Sequence, residues 1–155
     1  MLSLGVLISG RGSNLQAILD AIAAGELDAR VKLVLSNKAT AAGLERAAAA
    51  GVPTQVLSHR AYQDRESFDA AMVAALRVAG VEWVVLAGFM RIVTAVFLSA
   101  FRDRVINIHP SLLPAFPGVE AQAQALDYGV RISGCTVHLV DEGVDAGPVL
   151  AQAAV

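Results

Sequence analysis

Asn107 and His109 lie two residues apart in the run Asn107-Ile108-His109-Pro110-Ser111-Leu112-Leu113-Pro114. An amide N–H can stabilise a developing oxyanion and an imidazole can move a proton, the two tasks that acyl-type transfers require. In an extended chain, residues two apart share a face, so Asn107 and His109 project together while Ile106 and Ile108 point the other way. The alternative is a purely structural pair, each side chain satisfied by the other. Pro110 and Pro114 bracket the turn that follows, and the Leu113–Pro114 bond is a candidate for the cis form.

The elements that must carry such a pair follow from hydrophobic periodicity. Leu4 to Ser9 is an apolar run, Gly10-Arg11-Gly12-Ser13-Asn14 a turn, and Leu15, Ile18, Leu19 and Ile22 recur at helical spacing up to Gly25. The unit repeats: Val31 to Leu35 as strand, Leu44 to Ala48 as a small-residue helix, Thr54 to Leu57 as a brief strand. Phe68, Met72, Ala75, Leu76 and Ala79 mark an amphipathic helix with Asp64 as its N-cap and Gly80 as its stop. Trp83 to Ala87 is the fourth strand. Thr94 is placed to cap a helix holding Phe97, Leu98 and Phe101, and Arg104 to His109 is the fifth strand. Val119 to Tyr128 reads as a helix, and Ser133 to Val140 and Val149 to Val155 as two strands joined by a loop too short for a crossover, hence antiparallel.

This alternation gives the fold class α/β: a Rossmann-like, mostly parallel open sheet with helices on both faces and an antiparallel C-terminal strand pair. At 155 residues, one domain over 1–155 is expected, truncated at its C-terminal end, where the last strand has no helix after it. Ligands of such sheets bind beyond the carboxyl ends of the strands. The loops at Gly10–Asn14, Ser36–Lys38, Gly88–Arg91 and Asn107–Ser111 all follow strands and are expected on that one rim.

Composition narrows the function. A hydrophobic fraction of 55% with 17% charged residues describes a compact globular chain and excludes disorder. No apolar run is long enough to span a bilayer, and the first residues read as a strand, so a cytoplasmic protein is expected. The net charge of −2 offers no field for nucleic acid or an anionic membrane, so neither is an expected partner. The single cysteine, Cys135, excludes an internal disulfide and a cysteine metal cluster.

The glycine turn is not a dinucleotide fingerprint, because Leu15 occupies the third glycine position and no acidic residue ends the second strand. Nor does it end in the Gly-Lys-Ser/Thr of a triphosphate loop. It suits a single phosphate held by Gly12, Ser13 and Asn14 at a helix N-terminus, the alternative being a tight turn with Ser13 as N-cap. Phe89-Met90-Arg91-Ile92-Val93 sets an arginine among apolar residues, either a slot for a flat aromatic ligand or a core segment whose arginine reaches solvent. Arg65 lies in a first helical turn, where a cation is unfavourable unless it meets a carboxylate. Asp141-Glu142-Gly143-Val144-Asp145 holds three carboxylates, either an ordinary solvated turn or a lobe that delivers one acid to the site. One of them beside His109 would favour the imidazolium and fix its orientation, and the spacing is not that of a calcium loop. His59 is expected to face solvent from a loop, and His138, alternating with Val137 and Leu139 on a strand, to be structural unless it faces the rim.

With those motifs in view, the chain resembles the glycinamide ribonucleotide formyltransferases, folate-dependent enzymes of purine synthesis. The likeness rests on Gly10-Arg11-Gly12-Ser13-Asn14-Leu15, Gly88-Phe89-Met90-Arg91, Asn107 to Pro114 and Asp141 to Pro148, in the family's order and spacing. It implies that Gly12, Ser13 and Asn14 hold the phosphate of glycinamide ribonucleotide. It implies that Arg65, Met90, Arg91, Ile92, Val93, Asn107, Asp141, Glu142, Gly143, Val144 and Asp145 hold the cosubstrate 10-formyltetrahydrofolate. Asn107, His109 and Asp145 would be catalytic, with no metal, in a monomer or homodimer. Two departures stand out: relatives continue past the position of Val155, and many carry a histidine and an arginine where this chain has Glu120 and Ala123. A transfer-RNA formyltransferase would need a basic surface and an appended domain. The alternatives within reach are a formyltetrahydrofolate hydrolase, which differs only in what attacks the formyl carbon, and a non-catalytic nucleotide-binding module.

Overall fold

The computed structural model describes residues 1–155, which divide into two compact units, Met1–Val105 and Ile106–Val155. In the first unit, β1 (Leu2–Ile8), β2 (Ala29–Ser36), β3 (Thr54–Val56) and β4 (Trp83–Leu86) run parallel, in the order β3-β2-β1-β4. Leu4, Val6, Leu7 and Ile8 are all buried, a continuous rather than alternating pattern, as a parallel strand packed on two faces requires. The connecting helices are α1 (Ser13–Ala23), α2 (Gly43–Ala49) and α3 (Arg65–Val78), with α4 (Ala95–Ala100) following β4.

Helix α3 shows how local sequence sets this unit. Asp64 Oδ1 accepts the Ser67 amide at 2.7 Å, the cap expected from sequence. Phe68, Met72 and Leu76 then recur on one face and are buried, each burial worth about 1.5–3 kcal/mol. Leu76 packs against β1 so closely that a Cβ on Gly5 would lie 2.6 Å from its Cδ2. Gly80, at φ 79°, ends the run as expected.

Thr94 differs from expectation. It occupies the N-cap position of α4 with extended backbone, yet its side chain makes no capping bond; its hydroxyl donates to Asp69 Oδ2 at 2.8 Å. A bond to a buried carboxylate is stronger than one from a neutral backbone amide, so the hydroxyl turns to Asp69. Similarly, Ser13 is the first residue of α1 rather than its cap. The cap position is taken by Gly12 at φ 75°, a left-handed conformation that glycine adopts freely.

In the second unit, β5 (Val105–His109) pairs antiparallel with β6 (Gly134–Leu139), and β6 antiparallel with β7 (Val149–Ala154). The expected antiparallel pair is therefore two of three antiparallel strands, and the class remains α/β with a mostly parallel first unit. Helix α5 spans Ala121–Tyr128, starting later than expected because Glu120 sits at φ 56°, outside helical space, and it ends at Gly129 at φ 91°. The Leu113–Pro114 bond is cis. No helix is long and apolar enough to cross a membrane.

Candidate active site

Register places the central cluster of the second unit. Antiparallel pairing sets Asn107 opposite His138 and His109 opposite Thr136, so four side chains of two strands share one face. His138 Nδ1 lies 3.1 Å from the Leu139 carbonyl oxygen, which can only accept, so Nδ1 carries the proton. Nε2 is then the acceptor, and Asn107 Nδ2 donates to it at 3.2 Å. The imidazole thereby fixes which way the Asn107 amide points.

His109, 4% exposed, is held on both sides. Its Nε2 donates to the Phe116 carbonyl at 2.9 Å, and its Nδ1 faces Asp145 Oδ2 at 3.4 Å. Both ring nitrogens thus face oxygens, which fixes the plane and direction of the ring. Asp145 Oδ2 also accepts the Gly118 amide at 2.8 Å, and Oδ1 lies 3.7 Å from His138 Nε2. Asp145 itself sits at φ 52°, as do Phe116 at the same value and Glu120 nearby at 56°. Three non-glycine residues in the left-handed region mark a backbone held by its surroundings, and such strain concentrates at functional sites.

The turn after His109 is secured by hydroxyls rather than by its prolines alone. Thr136 Oγ1 donates to the Ser111 carbonyl at 2.7 Å and accepts the Leu113 amide at 3.0 Å, while the Ser111 hydroxyl bonds the carbonyls of Ala115 and Phe116. Of the acidic loop, only Asp145 turns into this cluster. Asp141 closes a local turn onto the Gly143 amide at 2.8 Å, and Glu142, Gly143 and Val144 are exposed.

In the first unit, three strand-end loops meet at Ser9. Its hydroxyl donates to Asn37 Oδ1 at 2.6 Å and accepts the Met90 amide at 2.9 Å, joining the ends of β1, β2 and β4. The glycine turn owes its form to α2: a Cβ on Gly12 would lie 2.7 Å from Gly43 Cα, and the Gly43 amide donates to the Gly10 carbonyl at 3.0 Å. The first main-chain bond into α1 runs from Gln16 to Gly12, so the amides of Ser13, Asn14 and Leu15 are left at the positive end of the helix, free for an anion.

The segment of Met90 to Val93 is mixed. Met90 and Ile92 expose 67% and 64% of their surface, and Arg91 is half-buried. Val93 is a core residue and can offer a ligand only its backbone. Arg65 donates to the Ile92 carbonyl at 2.9 Å, so the first-turn cation is met by a loop of the same unit. His59 lies half-buried in a 3₁₀ turn (His59–Ala61), edge-on to Phe68, and not loose in solvent. Desolvation first, then the charges of Arg91, Arg60 and Lys38, push it below the usual imidazole range.

Sequence reasoning missed His138, Thr136, Ser111, Ser9 and Asp69. The signal available for the first two was the alternation Thr136, Val137, His138, Leu139, which sets two polar residues on one face of a strand.

Residues 3–155 match the family model described as formyl transferase. The phosphoribosylglycinamide formyltransferase of Escherichia coli (strain K12) is 47% identical over 150 residues, covering 97% of this chain and 71% of that protein. The trifunctional purine biosynthetic protein adenosine-3 of Drosophila pseudoobscura pseudoobscura is 56% identical over 152 residues. That match covers 97% of this chain and 11% of the fly protein, so the chain spans about a ninth of that relative's length. The crystal structure of glycinamide ribonucleotide transformylase 1 from Symbiobacterium toebii superposes with a TM-score of 0.98 at 55% identity, covering 100% of this chain and 73% of that one.

Proposed function

The chain belongs to the formyl transferase family, and from that premise we propose that it transfers the formyl group of 10-formyltetrahydrofolate to the amine of glycinamide ribonucleotide. The observation that carries the reading is the polar cluster on β5 and β6, in which Asn107, His138, Asp145 and His109 are linked in turn, while the hydroxyls of Ser111 and Thr136 beside it both donate to backbone carbonyls and not to His109. Such a set suits direct attack by an amine rather than a covalent enzyme intermediate.

In this reading the substrate amine attacks the formyl carbon and the carbonyl oxygen gains negative charge. The Asn107 N–H not used by His138 and the Nε2–H of His109 stabilise that oxygen. For His109 to do so, Nε2–H must exchange the Phe116 carbonyl for the oxyanion, an exchange from a neutral acceptor to a stronger, charged one. Asp145 holds the imidazolium through Nδ1 and assists the proton leaving the amine toward the departing folate nitrogen. The amides at Gly12, Ser13 and Asn14 take the substrate phosphate. Arg65, Met90, Arg91, Ile92, Val93 and the loop Asp141–Asp145 hold the folate, Val93 through its main chain.

Formyl transfer followed with both substrates, and with the folate alone, tests this. Turnover that requires glycinamide ribonucleotide supports it. Equal deformylation without the amine would indicate a hydrolase instead, and no turnover with no folate binding would leave a nucleotide-binding module.

A further inference from the structure

Asp69 is a buried carboxylate, 2% exposed, and it makes no ion pair. Burial of an unpaired carboxylate costs several kcal/mol, so its hydrogen bonds identify what it is held there for. Both recorded bonds go to one residue: Oδ2 accepts the Thr94 amide at 2.6 Å and the Thr94 hydroxyl at 2.8 Å. One helical turn earlier on the same face of α3, Arg65 donates to the Ile92 carbonyl at 2.9 Å. From the loop just after β1, the Ser9 hydroxyl accepts the Met90 amide at 2.9 Å. The segment is therefore tied at every second residue, 90, 92 and 94, by side chains from α3 and from that loop. Alternation leaves Arg91 and Val93 untied between the anchors, with the exposed Met90 and Ile92 side chains facing outward.

We propose that Asp69, acting through Thr94, is a positioning residue that sets the backbone of Met90–Val93 for the folate. It does not touch the ligand. The proposal rests on the folate role given above to that segment. A bland alternative exists, in which Asp69 only secures the start of α4.

Steady-state kinetics with varied 10-formyltetrahydrofolate and glycinamide ribonucleotide separate the two. Thr94→Val removes the hydroxyl bond and is expected to raise KM for the folate about tenfold, the loss of one buried bond to a charged acceptor, while kcat and KM for the amine change less than about twofold. Thr94→Ser restores the wild-type value, and Asp69→Asn, whose amide oxygen still accepts, lies between. Thr94→Val and Asp69→Asn variants that melt earlier with every kinetic constant unchanged, or whose constants all fall together, overturn it. Should the wild-type protein show no formyl transfer, amide hydrogen exchange without substrate still decides the anchoring. Exchange at Met90–Thr94 faster by about tenfold in Thr94→Val, with α3 unchanged, supports it, and unchanged exchange there overturns it.

Discussion

The amide of Asn107 and the imidazole of His138 meet across β5 and β6 at 3.2 Å, and the proton on His138 Nδ1 makes that bond run in one direction only. A residue that reads as structural thus decides how the Asn107 amide is presented. His138→Ala frees the amide to rotate and leaves its N–H unpaired. A fall in kcat of about tenfold to hundredfold, with both KM values little changed, is expected in a formyl-transfer assay. His138→Gln, whose oxygen can accept from Asn107, should recover part of it.

Removing either of the groups proposed to face the oxyanion should cost more. Asn107→Ala and His109→Ala are each expected to lower kcat about 10²–10³-fold. Circular dichroism and thermal melting should show both folded. Near-normal turnover in either variant would remove that residue from the mechanism.

Gly12 is fixed by the architecture around it. Gly12→Ala puts a methyl 2.7 Å from Gly43 Cα at a left-handed φ of 75°, so conformational strain of about 1–2 kcal/mol adds to a backbone clash. Gly10→Ala, with nothing within 4 Å of its new methyl, should change stability little. Denaturant unfolding of the two variants side by side tests this, and equal midpoints would contradict it.

Asp64 gives stability a dependence on acid. The Ser67 side chain first, and then the Ser67 backbone amide, hold the carboxyl below its ordinary 3.8, so the folded protein binds that proton less readily than the unfolded chain. The stabilisation is present in full above the unfolded value and disappears as pH falls through the lower folded one. Asp64→Asn keeps the cap but cannot titrate. The melting-temperature advantage of wild type over this variant should therefore shrink as pH is lowered from neutrality to below 3.8. An advantage independent of pH would show that the carboxylate charge contributes nothing.

Much of this molecule is legible in residue order because local signals agree with the fold. The amphipathic period of Phe68, Met72 and Leu76, the cap at Asp64 and the glycines at 25, 80 and 129 all mark elements where they are found. The polar pair on β5 and the acid at Asp145 could be singled out because their types are unusual for a strand end and a loop. What could not be read was partnership across elements. Thr94 looks like a cap until Asp69 is brought beside it, His138 looks structural until β6 is paired with β5, and Val93 looks like a slot residue until its burial is known. These depend on register and packing, which no local window contains.

Strand β6 carries two duties on alternate residues, Thr136 tying down the turn after His109 and His138 orienting Asn107. Its spacing is therefore as constrained as its chemistry. One residue inserted or deleted between Gly134 and Leu139 would swap that polar face for Cys135, Val137 and Leu139, leaving composition and strand propensity almost untouched while erasing the site. Lengthening the exposed stretch at Arg131 and Ile132, which precedes the strand, would do neither. Tolerance to changes in chain length should thus differ sharply between two stretches only a few residues apart.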